Sequence, residues 1–174
     1  MRVSLRWTLL AALLLAPNLA NARRHDPLTS EEIDQLREVA LEPEKRLKLF
    51  TDFARLRLTM IEDVRTPKKP DVENPRSLHD LMQDFLEIYD ELDENIGMYE
   101  DRQSDLRQAL KPVLLADGEF HARLEGLQHN LTPKERTECD FVLSSIVEAV
   151  TTGTIEHKKL LAEQEVSFRN KKKK

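Results

Sequence analysis

Glycine, cysteine and aromatic side chains are all scarce in this chain: four glycines, one cysteine and 5% aromatics among 174 residues. A single cysteine, Cys139, excludes an intrachain disulfide and every cysteine-based zinc or haem-attachment motif. So few glycines leave no glycine-rich phosphate loop and little irregular backbone from which to shape a catalytic pocket. Ser144 and Ser145 fall inside an apolar helical run with no Gly-x-Ser-x-Gly context, so neither reads as a nucleophile. His25, His79, His121, His129 and His157 have no mutual metal spacing, and no Glu-x-x-His pair of the di-iron type occurs. Glu125 with His129, and Glu87 with Glu91, are four apart, a spacing too common to carry weight. The sequence therefore names no catalytic residue, no cofactor-binding residue and no dedicated metal ligand.

What the chain does contain is helical periodicity. Thr29-Ser30-Glu31-Glu32 has the form of a capping box and opens a short helix to about Leu41. Pro43 marks a second start, because proline is tolerated in a first helical turn, and a helix follows from about Glu44 to Arg65. Its apolar residues form two stripes, Leu47-Phe50-Ala54-Leu58-Ile61-Val64 and Leu49-Phe53-Leu56-Met60, an arc wide enough for two neighbours or for a second copy of the chain. Thr66 to Arg76 carries Pro67, Pro70 and Pro75 and reads as a loop. Ser77, with Asp80 three residues on, caps a strongly acidic helix whose apolar stripe runs from Leu78 to Tyr99; Gly97 places its end between Gly97 and Ser104. Leu106 to Leu127 keeps helical spacing, with Pro112 predicting a kink near Gln108 to Pro112 or a fresh start there. Thr132-Pro133-Lys134-Glu135 starts a last helix to about Arg169, with a seam through Cys139, Leu143, Ile146, Val150, Gly153 or Thr154, His157 and Leu161. Small residues at Val150 to Ile155 predict a close helix approach, and His157 on the seam reads as a hydrogen-bonded core histidine able to confer pH sensitivity. Four long helices, one short one and no strand-like run predict an all-α antiparallel helical bundle.

Residues 1–22 read as an export signal: Arg2 and Arg6 precede the apolar run Trp7 to Ala16, Pro17 breaks it, and Ala20-Asn21-Ala22 offers a cleavage site. The uncharged stretch Trp7 to Ala22 is 16 residues, short of the roughly 20 that span a bilayer. Arg23 and Arg24 directly after it make an N-terminal membrane anchor the alternative. The expected organisation is a signal at 1–22, one helical-bundle domain at 23–170 and a basic tail at 171–174, in an exported protein, periplasmic or secreted.

Without Arg2 and Arg6, 25 basic residues face 32 acidic ones, a net charge of −7. The excess is concentrated: residues 71–110 hold 12 acids and 3 bases. A folded body without a basic stripe argues against nucleic-acid binding. Lys45, Arg46, Lys48, Arg55 and Arg57 make the second helix the basic partner of the acidic one, leaving Asp84, Glu87, Asp90, Glu91 and Glu94 as an outward patch for a cationic partner. Lys171, Lys172, Lys173 and Lys174 form the other candidate contact, a weak one to an anionic surface, although such tails are commonly just solvated. Weak divalent-cation binding along Asp84 to Glu94 competes with the plainer meaning of a solvated acidic face.

Leu28-Thr29-Ser30-Glu31-Glu32 and Leu131-Thr132-Pro133-Lys134-Glu135 are similar to the paired Leu-Thr-x-x-Gln motifs of small helical periplasmic stress chaperones. Both lack the glutamine, and helix capping alone accounts for threonine followed by glutamate; the resemblance would imply a cradle for unfolded clients. The expectation is an exported, non-enzymatic bundle that binds another protein in the bacterial cell envelope. A periplasmic chaperone or stress-response adaptor is the first alternative and a divalent-metal-binding bundle the second.

Overall fold

A computed structural model describes residues 26–66 and 76–171; residues 1–25, which include the expected export signal at 1–22, Pro67 to Pro75 and Lys172 to Lys174 lie outside the described residues. Among the described residues five helices follow one another: α1 Ser30–Glu38, α2 Pro43–Arg65, α3 Leu78–Asp101, α4 Arg107–Asn130 and α5 Pro133–Lys171. No strand occurs among the described residues. An all-α helical bundle is thus the observed architecture, in which helices consecutive in the chain run in opposite senses while the neighbours α2 and α4, and α3 and α5, are parallel.

Local signals set most of the boundaries. Thr29 and Ser77 each close a capping box, with Glu32 and Asp80 answering. Thr132 and Glu135 make the same reciprocal pair at the start of α5. α1 stops at Glu38 rather than reaching Leu41, because Pro43 opens α2 and disfavours helix in the residue before it, so the chain must turn within Val39 to Glu42. α4 runs through Pro112 from a start at Arg107, which puts the proline in its second turn. α3 ends in a Schellman motif: Ser104 N–H donates to Tyr99 O, Gln103 N–H donates to Glu100 O, and Gln103 adopts φ 56°.

The four long helices form a ring in the order α2, α3, α5, α4. Pairs of linked residues give their senses. Arg46 with Asn95 and Arg57 with Asp84 run in opposite directions, so α2 and α3 are antiparallel. Tyr89 beside Gly153 and Asp93 with His157 advance together, so α3 and α5 are parallel; Arg55 with Glu119 and Arg123 with Glu62 make α2 and α4 parallel as well. α3 and α4, consecutive in the chain, therefore lie on a diagonal and meet only through side chains across the core. Phe85 and Phe120 do so edge to face, with ring centroids 5.4 Å apart. α1 packs on α2.

The core is fully apolar over long stretches, with Leu47, Phe50, Leu81, Phe85, Ile88, Leu110, Phe120, Leu124 and Ile146 all buried. The wide arc of α2 is used unevenly. Leu47, Phe50, Ala54, Leu58 and Ile61 of the first stripe are buried, together with Phe53; Val64, Leu49 and Met60 are half-buried, and Leu56 is exposed. The expected basic-to-acidic pairing of α2 with α3 is also thinner than the charges suggest. Lys48 pairs with Asp52 of its own helix, Arg55 with Asp52 and with Glu119 of α4, and only Arg57 meets an acid of α3.

Candidate functional site

Three polar arrangements are candidates for function. The first is enclosed in the bundle. Tyr89 Oη donates to Asp117 Oδ1 at 2.9 Å, His157 Nδ1 bonds Asp117 Oδ2 at 2.9 Å, and His157 Nε2 bonds Asp93 Oδ1 at 2.9 Å. Asp117 is wholly buried, His157 is 3% exposed, and Asp93 alone reaches solvent. Gly153, one turn before His157, makes room: a Cβ there would lie 2.6 Å from Tyr89 Oη and 3.1 Å from Asp93 Oδ2. The small residues of α5 do allow the close approach that the sequence predicts.

Burial disfavours a charged His157, but hydrogen bonds to Asp117 and Asp93, together with the two carboxylate charges, outweigh it and raise its pKa to about 9. At neutral pH the ring is an imidazolium donating from both nitrogens. Burial, then the charges of Asp117 and Asp93, push the Tyr89 hydroxyl above its ordinary range, so it stays a donor. With both ring nitrogens committed, His157 has none left to bind a metal or accept a proton from a substrate. The cluster ties α3, α4 and α5 together and is a structural lock.

The second arrangement is a buried ion-pair group that fixes the N-terminal segment. Arg57, 2% exposed, donates from Nη1 and Nη2 to Glu32 at 2.8 and 2.6 Å and from Nη2 to Pro27 O at 2.6 Å. Its Nε stops 3.9 Å from Asp84 Oδ2, too far for a hydrogen bond, while Arg76 pairs with the same oxygen. Burial pushes the Glu32 carboxyl up, but Arg57 and the Thr29 backbone more than offset it and hold it below the ordinary value. Asp84 was expected on the outward acidic face; it is 4% exposed and belongs to this buried group. Its position explains why: three residues after Leu81 and four before Ile88, it is in phase with the apolar stripe of α3.

The third arrangement gathers the rest of that acidic face. Glu87, Asp90, Glu91 and Glu94 of α3, at helical spacing, line one wall of a half-open cleft of about 300 Å³ whose other wall is Asp26, Pro27 and Leu28. Five carboxylates thus surround one hollow, and no ion pair among the described residues neutralises them. Partial desolvation, then the charges of Asp93, Glu94 and Glu87, hold the Asp90 carboxyl above its ordinary range. Like charges this close favour whatever brings positive charge into the cleft. Among the described residues, no group of three or more His, Cys, Asp or Glu side chains is arranged to hold a metal ion. Of the basic tail, Lys171 is the last helical residue of α5, and Lys172, Lys173 and Lys174 lie outside the described residues.

Sequence reasoning placed four of the five cleft carboxylates but missed Asp26, Arg57, Asp93 and Asp117 as members of polar clusters. A usable signal existed. Arg57 lies three after Ala54 and four before Ile61, Asp93 four after Tyr89 and three before Ile96, and Asp117 four after Val113 and three before Phe120. A charged residue in phase with an apolar stripe is one whose charge is answered inside the fold. The chain matches no protein-family model, no curated protein and no solved structure.

Proposed function

We propose that this protein is a non-enzymatic interaction module of the cell envelope whose acidic cleft receives a lysine- or arginine-rich segment of another protein. The observation that carries the reading is the cleft itself, five carboxylates around one hollow with a raised Asp90 among them. A cationic side chain entering it would relieve repulsion that the folded protein otherwise bears. The envelope assignment rests on the export-signal pattern of residues 1–22. No helix among the described residues is long and apolar enough to cross a membrane. A chaperone has less support, because the exposed large apolar residues Leu41, Leu56, Leu115, Phe141, Ile155 and Val166 are dispersed over α2, α4, α5 and the α1–α2 turn, and of them Val166 lines a shallow hollow with Ala162, Glu163 and Ser167.

The test is fluorescence anisotropy with a labelled arginine-rich peptide and the full chain. Changing Glu87, Glu91 and Glu94 to Gln and Asp90 to Asn should weaken binding about tenfold or more at low salt. An equal loss of charge at Glu125, Glu138, Asp140 and Glu148 should change it little. Equal weakening by both sets, or no binding to either protein, refutes the assignment.

A further inference from the structure

We propose that the outer face of α5 is a self-association surface, on which a second copy of the chain docks its own α5 in antiparallel register. α5 is 39 residues long, about 58 Å of helix. One side of it, through Cys139, Leu143, Ile146, Val150 and His157, is buried in the bundle. On the opposite side Phe141 is 88% exposed, Ile155 63% and Val166 57%, half of the large apolar side chains left in solvent among the described residues. Fourteen residues separate the first two and eleven the last two, each close to a whole number of turns, so the three form one narrow stripe. Between these three anchors the stripe carries Ser145, Glu148, Thr152 and Lys159, so the face is a mixed one, polar side chains around three large apolar anchors.

Charge identifies the occupant. Glu148 lies on the same stripe between Phe141 and Ile155, and Lys159 lies between Ile155 and Val166. A twofold axis between Gly153 and Thr154 sets Phe141 against Val166 of the second copy, Glu148 against Lys159 and Thr152 against Ile155. Between Phe141 and Val166 the charged pair on the stripe, Glu148 with Lys159, is of opposite sign, and it occurs twice by symmetry. The parallel alternative sets Glu148 on Glu148 and Lys159 on Lys159, which like-charge repulsion disfavours. Lys159 reaches only the exposed Glu163 within its own helix, at 3.9 Å, so it is available to turn outward. The face carries three large apolar anchors, below what an obligate dimer of roughly 800 Å² per partner uses. Association is therefore expected to be reversible, with Kd on the order of tens of micromolar. This surface is independent of the acidic cleft on α3, so the inference stands or falls without the functional reading above.

Sedimentation velocity on the full chain, from about 1 to 200 µM, should show a concentration-dependent monomer–dimer equilibrium over this range. Glu148→Lys and Lys159→Glu should each weaken it about tenfold, and the double swap should restore it, because the exchanged charges again face each other. Thermal melting confirms folding of each variant, since the altered residues are exposed. A monomer throughout the range overturns the inference. So does a dimer that the single variants leave unchanged, or one that the double swap fails to rescue.

Discussion

Raising the pH from about 6.5 to 9.5 should remove about 3 kcal/mol of stability, with His157 as the source. The imidazole is held between Asp117 and Asp93, and its pKa rises from 6.5 to about 9 on folding. A group whose folded pKa is raised contributes its full stability below the unfolded value and loses it as the pH climbs through the folded one, because the unfolded chain releases the proton first. The difference between 6.5 and about 9, at 1.36 kcal/mol for each tenfold step in proton affinity, gives about 3 kcal/mol. For a domain of this length that is a fall of roughly 6 to 12 °C in Tm. Urea unfolding at pH 6, 7.5 and 9.5 measures it directly, with His157→Gln as the reference that cannot titrate. The Cys139 thiol, pushed up by burial and by Glu138 and Glu135, acts in the same direction only above pH 9 and cancels in the comparison. Should His157→Gln not fold, NMR titration of the wild-type imidazole gives the same answer. A wild-type profile parallel to that of the variant, or an imidazole titrating near 6.5, refutes the reasoning.

Other residues make separable predictions. Gly153→Ala should destabilise by about 1 to 3 kcal/mol despite its better helix propensity, because the new methyl meets Tyr89 Oη at 2.6 Å. Gly126→Ala, where nothing lies within 4 Å, should stabilise by about 0.5 to 1 kcal/mol, and thermal melts of the two variants should move in opposite directions. Arg57→Met should cost about 3 to 5 kcal/mol in chemical denaturation, since it leaves Glu32 and the Asp84–Arg76 pair without their central cation. Gln103→Gly should stabilise by about 1 kcal/mol, because Gln103 holds φ 56° in the Schellman turn after α3; an unchanged or lower Tm there would show that the side chain contributes something the backbone argument omits.

The helices were legible because their signals are local. Thr29 with Glu32, Ser77 with Asp80, and Thr132 with Glu135 each lie within four residues, and the apolar stripes of α3 and α5 repeat over many turns. The ring order of the helices was not legible, since nothing near Arg102 to Leu106 says that α4 will cross to the diagonal of α3. The charged side chains divide in the same way. Glu87, Asp90, Glu91 and Glu94 fall out of phase with the apolar stripe and do reach the surface. Asp84, Arg57 and Asp117 are in phase with theirs and are buried, and a count of charges along each helix cannot separate the two groups. His157 was placed correctly for the same geometric reason, but its partners, 40 and 64 residues away, could not be named from sequence.

The buried arginine and the exposed cleft are parts of one construction. Asp26, Pro27 and Leu28 form a cleft wall, and the backbone of that wall is held by Arg57 through Pro27 O. The capping box of α1 adds a second tie, because Glu32 accepts from both Thr29 N and Arg57. Arg46 donates to Leu36 O and Tyr99 to Ala40 O, fastening the far end of α1 and the turn after it to the bundle. Without these bonds α1 would have little reason to stay, since Leu36 is its only apolar side chain that is fully buried. A segment with so little apolar burial is kept in place by ionic and polar contacts, whose loss through one missing partner is severe. Docking it on α2 leaves the preceding Asp26 across a hollow from four carboxylates of α3, an arrangement that opposes folding unless a cation is recruited. The polar effort spent on docking α1 is thus physically intelligible as the means of completing an acidic hollow that α3 alone would leave as a flat, solvated face.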